Sequence, residues 1–145
     1  MPTPSHTFIE NRDRIQPNQT NNYDTAHGGI VMKFMDEVGA MSAMRFSGEQ
    51  CVTAAVDALD FKRPLPRGDI AVVTAWVFDE GETSVKVRLT AEREDPLTGE
   101  CERTSESVFT FVAIDEDGRP VTVPDLEIET ERDEQLRDRG LDAQS

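Results

Sequence analysis

One stretch of this chain carries the period of a long amphipathic helix, and most of the chain beyond it carries the period of strands. Over residues 28–46, Val31, Phe34, Met35, Val38, Met41 and Ser42 recur at three- and four-residue spacing, the stripe a helix buries against a core. Gly48 offers a stop for it. A second stripe, Met32, Asp36, Gly39 and Ala43, is small or apolar around a single carboxylate. A helix oily on two sides is expected to be covered on two sides, with Asp36 partly desolvated and something passing close over Gly39.

The flanking segments fit around that helix. "HTFIENRDRIQ" reads as one short extended piece, and 17–27 as a polar loop rich in turn and cap formers. After the helix, "CVTAAVDALDFKRPLPRGD" reads as a strand closed by a Pro-rich turn. "IAVVTAWVF" is apolar throughout, as in a strand covered on both faces. "TSVKVRLTAER" alternates, and "CERTSESVFTFVAI" is a long last strand. An early helix followed by antiparallel strands predicts an α+β fold in which the sheet wraps the helix. The second stripe is then expected to need a second copy of the chain as its cover. Residues 1–124 form one expected domain. Residues 125–145, with eight acids against three Arg, are expected to be a frayed helix or disordered.

Composition narrows the function. At 145 residues and 37% hydrophobic content, no apolar run reaches the ~20 residues that cross a bilayer. The first residues lack the layout of a secretion signal, so a cytoplasmic protein is expected. Two His and two separated cysteines, Cys51 and Cys101, give no metal-ligand spacing. The cysteines read as small apolar strand fillers. A net charge of −14 argues against a nucleic-acid partner. An acidic surface with three Lys against twelve Arg resembles the proteins of salt-loving archaea.

No nucleophile elbow, Walker loop or dinucleotide fingerprint is present. What remains is a carboxylate beside a helix start. The first N–H groups of a helix have no internal partner, and Gly28 and Gly29 would let a carbonyl approach them. Asp36, two turns further along, could act as general base or nucleophile on a carbonyl held by the glycines of a second copy of the chain. Plainer readings stand beside these. The Gly pair could be punctuation, Asp36 and Glu37 could pair with Lys33 on a solvated face, Asn21 could be a turn residue, and His27 a cap.

Together, "NNYDTAHGGIVMKFMDEVGAMSAMR", "VTAAVDALDFKRPLPRGD" and "SVFTFVAIDEDGRPVTVP" resemble the hotdog-fold acyl-CoA thioesterases, in the branch of cytosolic long- and medium-chain acyl-CoA hydrolases. The resemblance spans roughly residues 8–124. It implies a long helix wrapped by a curved antiparallel sheet, units paired edge to edge into a homodimer, and dimers assembled into a hexamer. It also implies hydrolysis of fatty acyl-CoA without metal or cofactor. Asn21 and Asp36 would be contributed by opposite units, and His27, Gly28 and Gly29 would bind the thioester oxygen. Asp24 departs from the Gly usual at that point of the loop.

An acidic protein that binds a phosphate-bearing substrate needs local cations. Lys62, Arg63, Arg67 and Arg103 are the candidates, with Met32 and Phe34 lining the acyl groove. Two further activities fit the same resemblance: an acyl-CoA binder without catalysis, and a hydratase that would draw on His27.

Overall fold

The computed structural model describes residues 2–143. Its elements in chain order are α1 (Pro4–Thr7), β1 (Ile9–Arg14), α2 (Gly28–Ser47), β2 (Gln50–Val56), β3 (Asp60–Phe61), β4 (Ile70–Glu80), β5 (Ser84–Glu94), β6 (Cys101–Ile114) and α3 (Glu131–Asp142). The strands form one antiparallel sheet in the order β1-β4-β5-β6-β2, with β3 added onto β6. The sheet curls around α2, the arrangement the periodicities predict.

The helical stripe does what its spacing requires. Val31, Phe34, Met35 and Val38 are buried against Val85, Val87, Leu89, Phe109 and Phe111. Fully burying such side chains stabilises by about 1.5–3 kcal/mol each. Gly48 ends α2 in the left-handed conformation at φ 72°, its N–H donating to the Met44 carbonyl at 2.8 Å. Ser42 is buried as expected and donates to the Thr7 carbonyl at 2.9 Å. Met41 differs from expectation: it is 39% exposed, because the buried face runs on through Ser42, Ala43 and Phe46 and leaves Met41 at its margin.

The second stripe is covered differently from what the pattern implies. Gly39 and Ala43 lie buried within the same chain. A Cβ on Gly39 would stand 3.0 Å from both Leu89 Cδ1 and Phe111 Cζ, so the close approach over Gly39 is made by the protein's own core. The sheet curls far enough to cover that half of the stripe. Only the Met32 and Asp36 end stays open.

β4 is buried on both faces, and the outer cover comes from the chain's own termini. Residues 125–142 are not a loose tail. Leu136 of α3 packs on Trp76, Phe78 and Val108, with Phe8 alongside. Trp76 Nε1 donates to the Leu136 carbonyl at 2.8 Å, and Arg139 lies over the Trp76 ring at 4.9 Å. Arg132 sits 5.0 Å over Phe8. Thr130 and Asp133 close a capping box at the start of α3.

Candidate active site

The 17–27 loop is rigidly tied before it enters α2. Asn21 Oδ1 accepts from the Tyr23 N–H at 2.9 Å, the Thr25 N–H at 3.3 Å and the Thr25 hydroxyl at 3.2 Å. Backbone N–H groups only donate, so the oxygen of the amide faces the turn. The Asn21 Nδ2 donor meets no protein acceptor among the described residues. Asp24 follows in the left-handed region at φ 58°, and its carbonyl accepts from the Arg67 N–H at 2.8 Å. His27 caps α2 through its backbone, its N–H bonded to the Gln19 carbonyl at 3.0 Å, and its side chain makes no cap hydrogen bond.

The two glycines that follow face different clefts. Gly28 opens on a cleft of about 400 Å³ walled by Val31, Phe61 and Leu65, with Lys62 and Arg63 at its edge. The Phe61 ring lies where a Gly28 side chain would be, 3.2 Å from a built Cβ. Gly29 opens on a second cleft of about 340 Å³ that it shares with Met32, Asp36, Thr53, Val56 and Phe109. Nothing lies within 4 Å of a Cβ built there. Neither glycine N–H has a protein acceptor among the described residues, as expected at a helix start.

Asp36 is half-buried. It does not pair with Lys33, which reaches Glu37 at 3.9 Å. Instead Asp36 Oδ1 accepts a hydrogen bond from the Thr53 hydroxyl on β2. The register of β2 against β6 shifts between Thr53 and Ala55, a bulge of the kind that re-aims a side chain. Thr53 is the site residue that the sequence pattern does not announce. The broken alternation of "CVTAAV" hints at the bulge, but nothing local links Thr53 to a helix residue 17 positions earlier.

The other candidates separate. His27 and Asn21 line neither cleft. Met32 walls the Asp36 cleft, but Phe34 belongs to the core at 7% exposure, because it sits on the opposite side of α2. Lys62 reaches Glu106 at 3.7 Å and Arg63 reaches Glu102 at 3.1 Å. Arg103 pairs with Glu106 at 2.8 Å, and Arg67 lies in a separate cleft beside Ile15 and Pro17. Burial pushes the Glu106 carboxyl up, but Arg88, Arg103 and Lys62 outweigh it and hold the group below the usual range. Cys51 is half-buried beside Ser47, whereas Cys101 is exposed at the start of β6 and fills no core space. No group of three or more ligating side chains among the described residues could hold a metal, and none of their helices is long and apolar enough to cross a membrane.

β2 ends the sheet. It pairs with β6 on one side only; Val56 and Met32 stand exposed on the walls of the Asp36 cleft, and Val52 is exposed on the same strand. An unpaired edge with apolar neighbours is a surface that other chains can join.

A curled antiparallel sheet around one long helix, with an acid on that helix beside an open strand edge, is the hotdog fold. The thioesterase superfamily model matches residues 23–100, and the chain belongs to that family. It is 34% identical to an uncharacterised acyl-CoA thioester hydrolase of Bacillus subtilis, over 97% of this chain and 85% of the relative. An apo-hexameric acyl-CoA thioesterase superposes with a TM-score of 0.87 at 32% identity, covering 98% of this chain and 91% of that one. The acyl-CoA hydrolase of Staphylococcus aureus, solved with butyryl coenzyme A and coenzyme A, superposes at 0.85 with 30% identity over 97% and 88%. Variants of that enzyme with one Asn, one Asp or one Thr replaced by Ala have also been solved. The chain is a thioester hydrolase by family and by these relatives.

Proposed function

We propose that this protein hydrolyses fatty acyl-CoA to the free acid and coenzyme A, with Asp36 as general base. In this reading Asp36 takes a proton from a water molecule, and the resulting hydroxide adds to the thioester carbonyl. The N–H groups of Gly28 and Gly29 receive the developing oxyanion, a contribution of about 10²–10³ in rate per donor. Collapse of the adduct expels the coenzyme A thiolate. Neither a metal nor a redox group enters the reaction.

The observation that carries this reading is the joining of Asp36, Thr53 and Gly29 in one open cleft. The intervals between the three replaced positions of the Staphylococcus aureus enzyme equal those between Asn21, Asp36 and Thr53 here. Asn21 does not reach the Asp36 cleft of its own chain. We therefore infer that Asn21 of the partner subunit completes the site, its Nδ2 orienting water or thioester. The free β2 edge and its exposed Val52 and Val56 support a homodimer joined there, and the hexameric relative supports further assembly. Hydration by a His–acid pair finds less support, because His27 lines neither cleft.

The test is thiol release from acyl-CoA by the wild type and by Asp36→Asn. The variant is expected to lose at least about 100-fold in kcat with an unchanged circular dichroism spectrum. Wild-type turnover by the variant would sink the assignment.

A further inference from the structure

The cleft beneath Phe61 holds a hydroxyl with no partner. Ser105 on β6 is 1% exposed and lines that cleft, and its Oγ meets no hydrogen-bonding group among the described residues. Nearby hydroxyls on the same strand are satisfied in the ordinary way. Thr104 Oγ1 donates to the Ala91 carbonyl at 3.1 Å, and Ser107 Oγ to the Asp57 carbonyl at 3.1 Å. Buried polar groups are nearly always paired, so a lone buried hydroxyl on a cleft wall calls for a partner, which a water or a ligand in the cleft supplies.

We propose that Ser105 Oγ is a binding residue for an amide of the pantetheine arm of coenzyme A. The inference rests on the acyl-CoA hydrolase function proposed for the chain and assigns one of its two clefts. The Phe61 cleft has apolar walls in Val31, Leu65 and Phe61, a single unpartnered buried hydroxyl, and cations at its edge in Lys62 and Arg63. That sequence of surfaces matches a chain with phosphates at one end and amides spaced along an otherwise apolar thread. The Asp36 cleft, walled by Met32, Val56 and Phe109, suits the acyl end. The consecutive residues Gly28 and Gly29 separate the two clefts, so one extended molecule crosses the start of α2 with its thioester there. Phe61 rests against Gly28 and roofs the amide-bearing part.

Calorimetric titration of free coenzyme A into wild type and Ser105→Ala tests this without relying on hydrolysis. The variant is expected to bind coenzyme A about 5- to 30-fold more weakly, the range of one hydrogen bond to a buried partner. Adenosine 3′,5′-bisphosphate, which keeps phosphates but has no amide, is expected to bind both proteins equally. The melting temperature of Ser105→Ala is expected to match or exceed that of the wild type, because an unpartnered hydroxyl is removed. Equal coenzyme A affinity in the two proteins would overturn the proposal, and so would equal weakening for the bisphosphate. If Ser105→Ala does not fold, Ser105→Cys, which keeps the volume with a weak donor, is judged by the same titrations. Coenzyme A binding by a wild type that releases no thiol would overturn the hydrolase reading and leave this assignment standing.

Discussion

Thr53 on the edge strand β2 donates its hydroxyl to Oδ1 of Asp36 on the central helix. The bond does two things. It fixes the carboxylate rotamer, and it leaves Oδ2 without a protein partner among the described residues. Thr53→Ala is therefore expected to lower kcat about 10-fold, the loss of about 1.4 kcal/mol of positioning, with KM little changed. Thr53→Ser keeps the hydroxyl and is expected to recover most of the rate. Steady-state kinetics of both variants decide it: an alanine variant as fast as wild type would leave Thr53 with no positioning role.

Gly140 of α3 is held against the root of the Phe78 side chain. A Cβ there would lie 2.1 Å from Phe78 Cγ and 2.5 Å from its Cβ, atoms that cannot swing away. Gly140→Ala is expected to destabilise by about 1–3 kcal/mol by lifting α3 off β4. The check is thermal melting together with limited proteolysis between residues 124 and 131. Gly29→Ala, with open space around its Cβ, is the stability control and is expected to melt as the wild type does.

That packing was hidden in the sequence for a physical reason. Leu136 is the one large apolar side chain that α3 buries, and the surrounding acids dominate its composition. What anchors the helix is Trp76 donating to the Leu136 carbonyl and two Arg side chains lying over Phe8 and Trp76, none of which raises a hydropathy signal. The central helix was legible because its period repeats through Val31, Phe34, Met35 and Val38. The burial of β4 on both faces was legible for the same reason, although the identity of the outer cover was not. Thr53 was illegible because its bond to Asp36 joins two elements through the curl of the sheet, and no local pattern encodes that curl.

Asp133 couples the two ends of the chain through its carboxylate. Burial pushes it up, but the Ser5 side chain and the N–H groups of Ser5, Glu129 and Thr130 outweigh this and bring it to about 2. A depressed folded value means that the stabilisation is complete above the unfolded value near 3.9 and is lost as pH falls towards about 2. At 1% exposure the contribution is about 2 kcal/mol. Asp133→Asn is expected to lower stability by about that amount at pH 6, and the gap to wild type is expected to narrow steadily below about pH 4. Urea titrations at pH 6, 4 and 3 measure it, and a gap constant with pH would rule out the linkage.

Asp24 holds a left-handed φ of 58° in the loop whose next turn enters α2. Aspartate tolerates this conformation better than most residues, and glycine would relieve the remaining strain while adding freedom to the unfolded chain. These terms nearly cancel, so Asp24→Gly is expected to stay within about 0.5 kcal/mol of wild type. Asp24→Val, with a branched Cβ, is expected to lose about 1–2 kcal/mol. The carboxylate itself lines neither cleft, and at physiological ionic strength exposed charges beyond about 8 Å are largely screened. Asp24→Asn, which removes the charge but keeps the left-handed preference, is therefore expected to leave KM for acyl-CoA within twofold. A larger fall in KM would mean that Asp24 repels the phosphates of the incoming substrate and that the loop lies closer to their path than Lys62 and Arg63 imply.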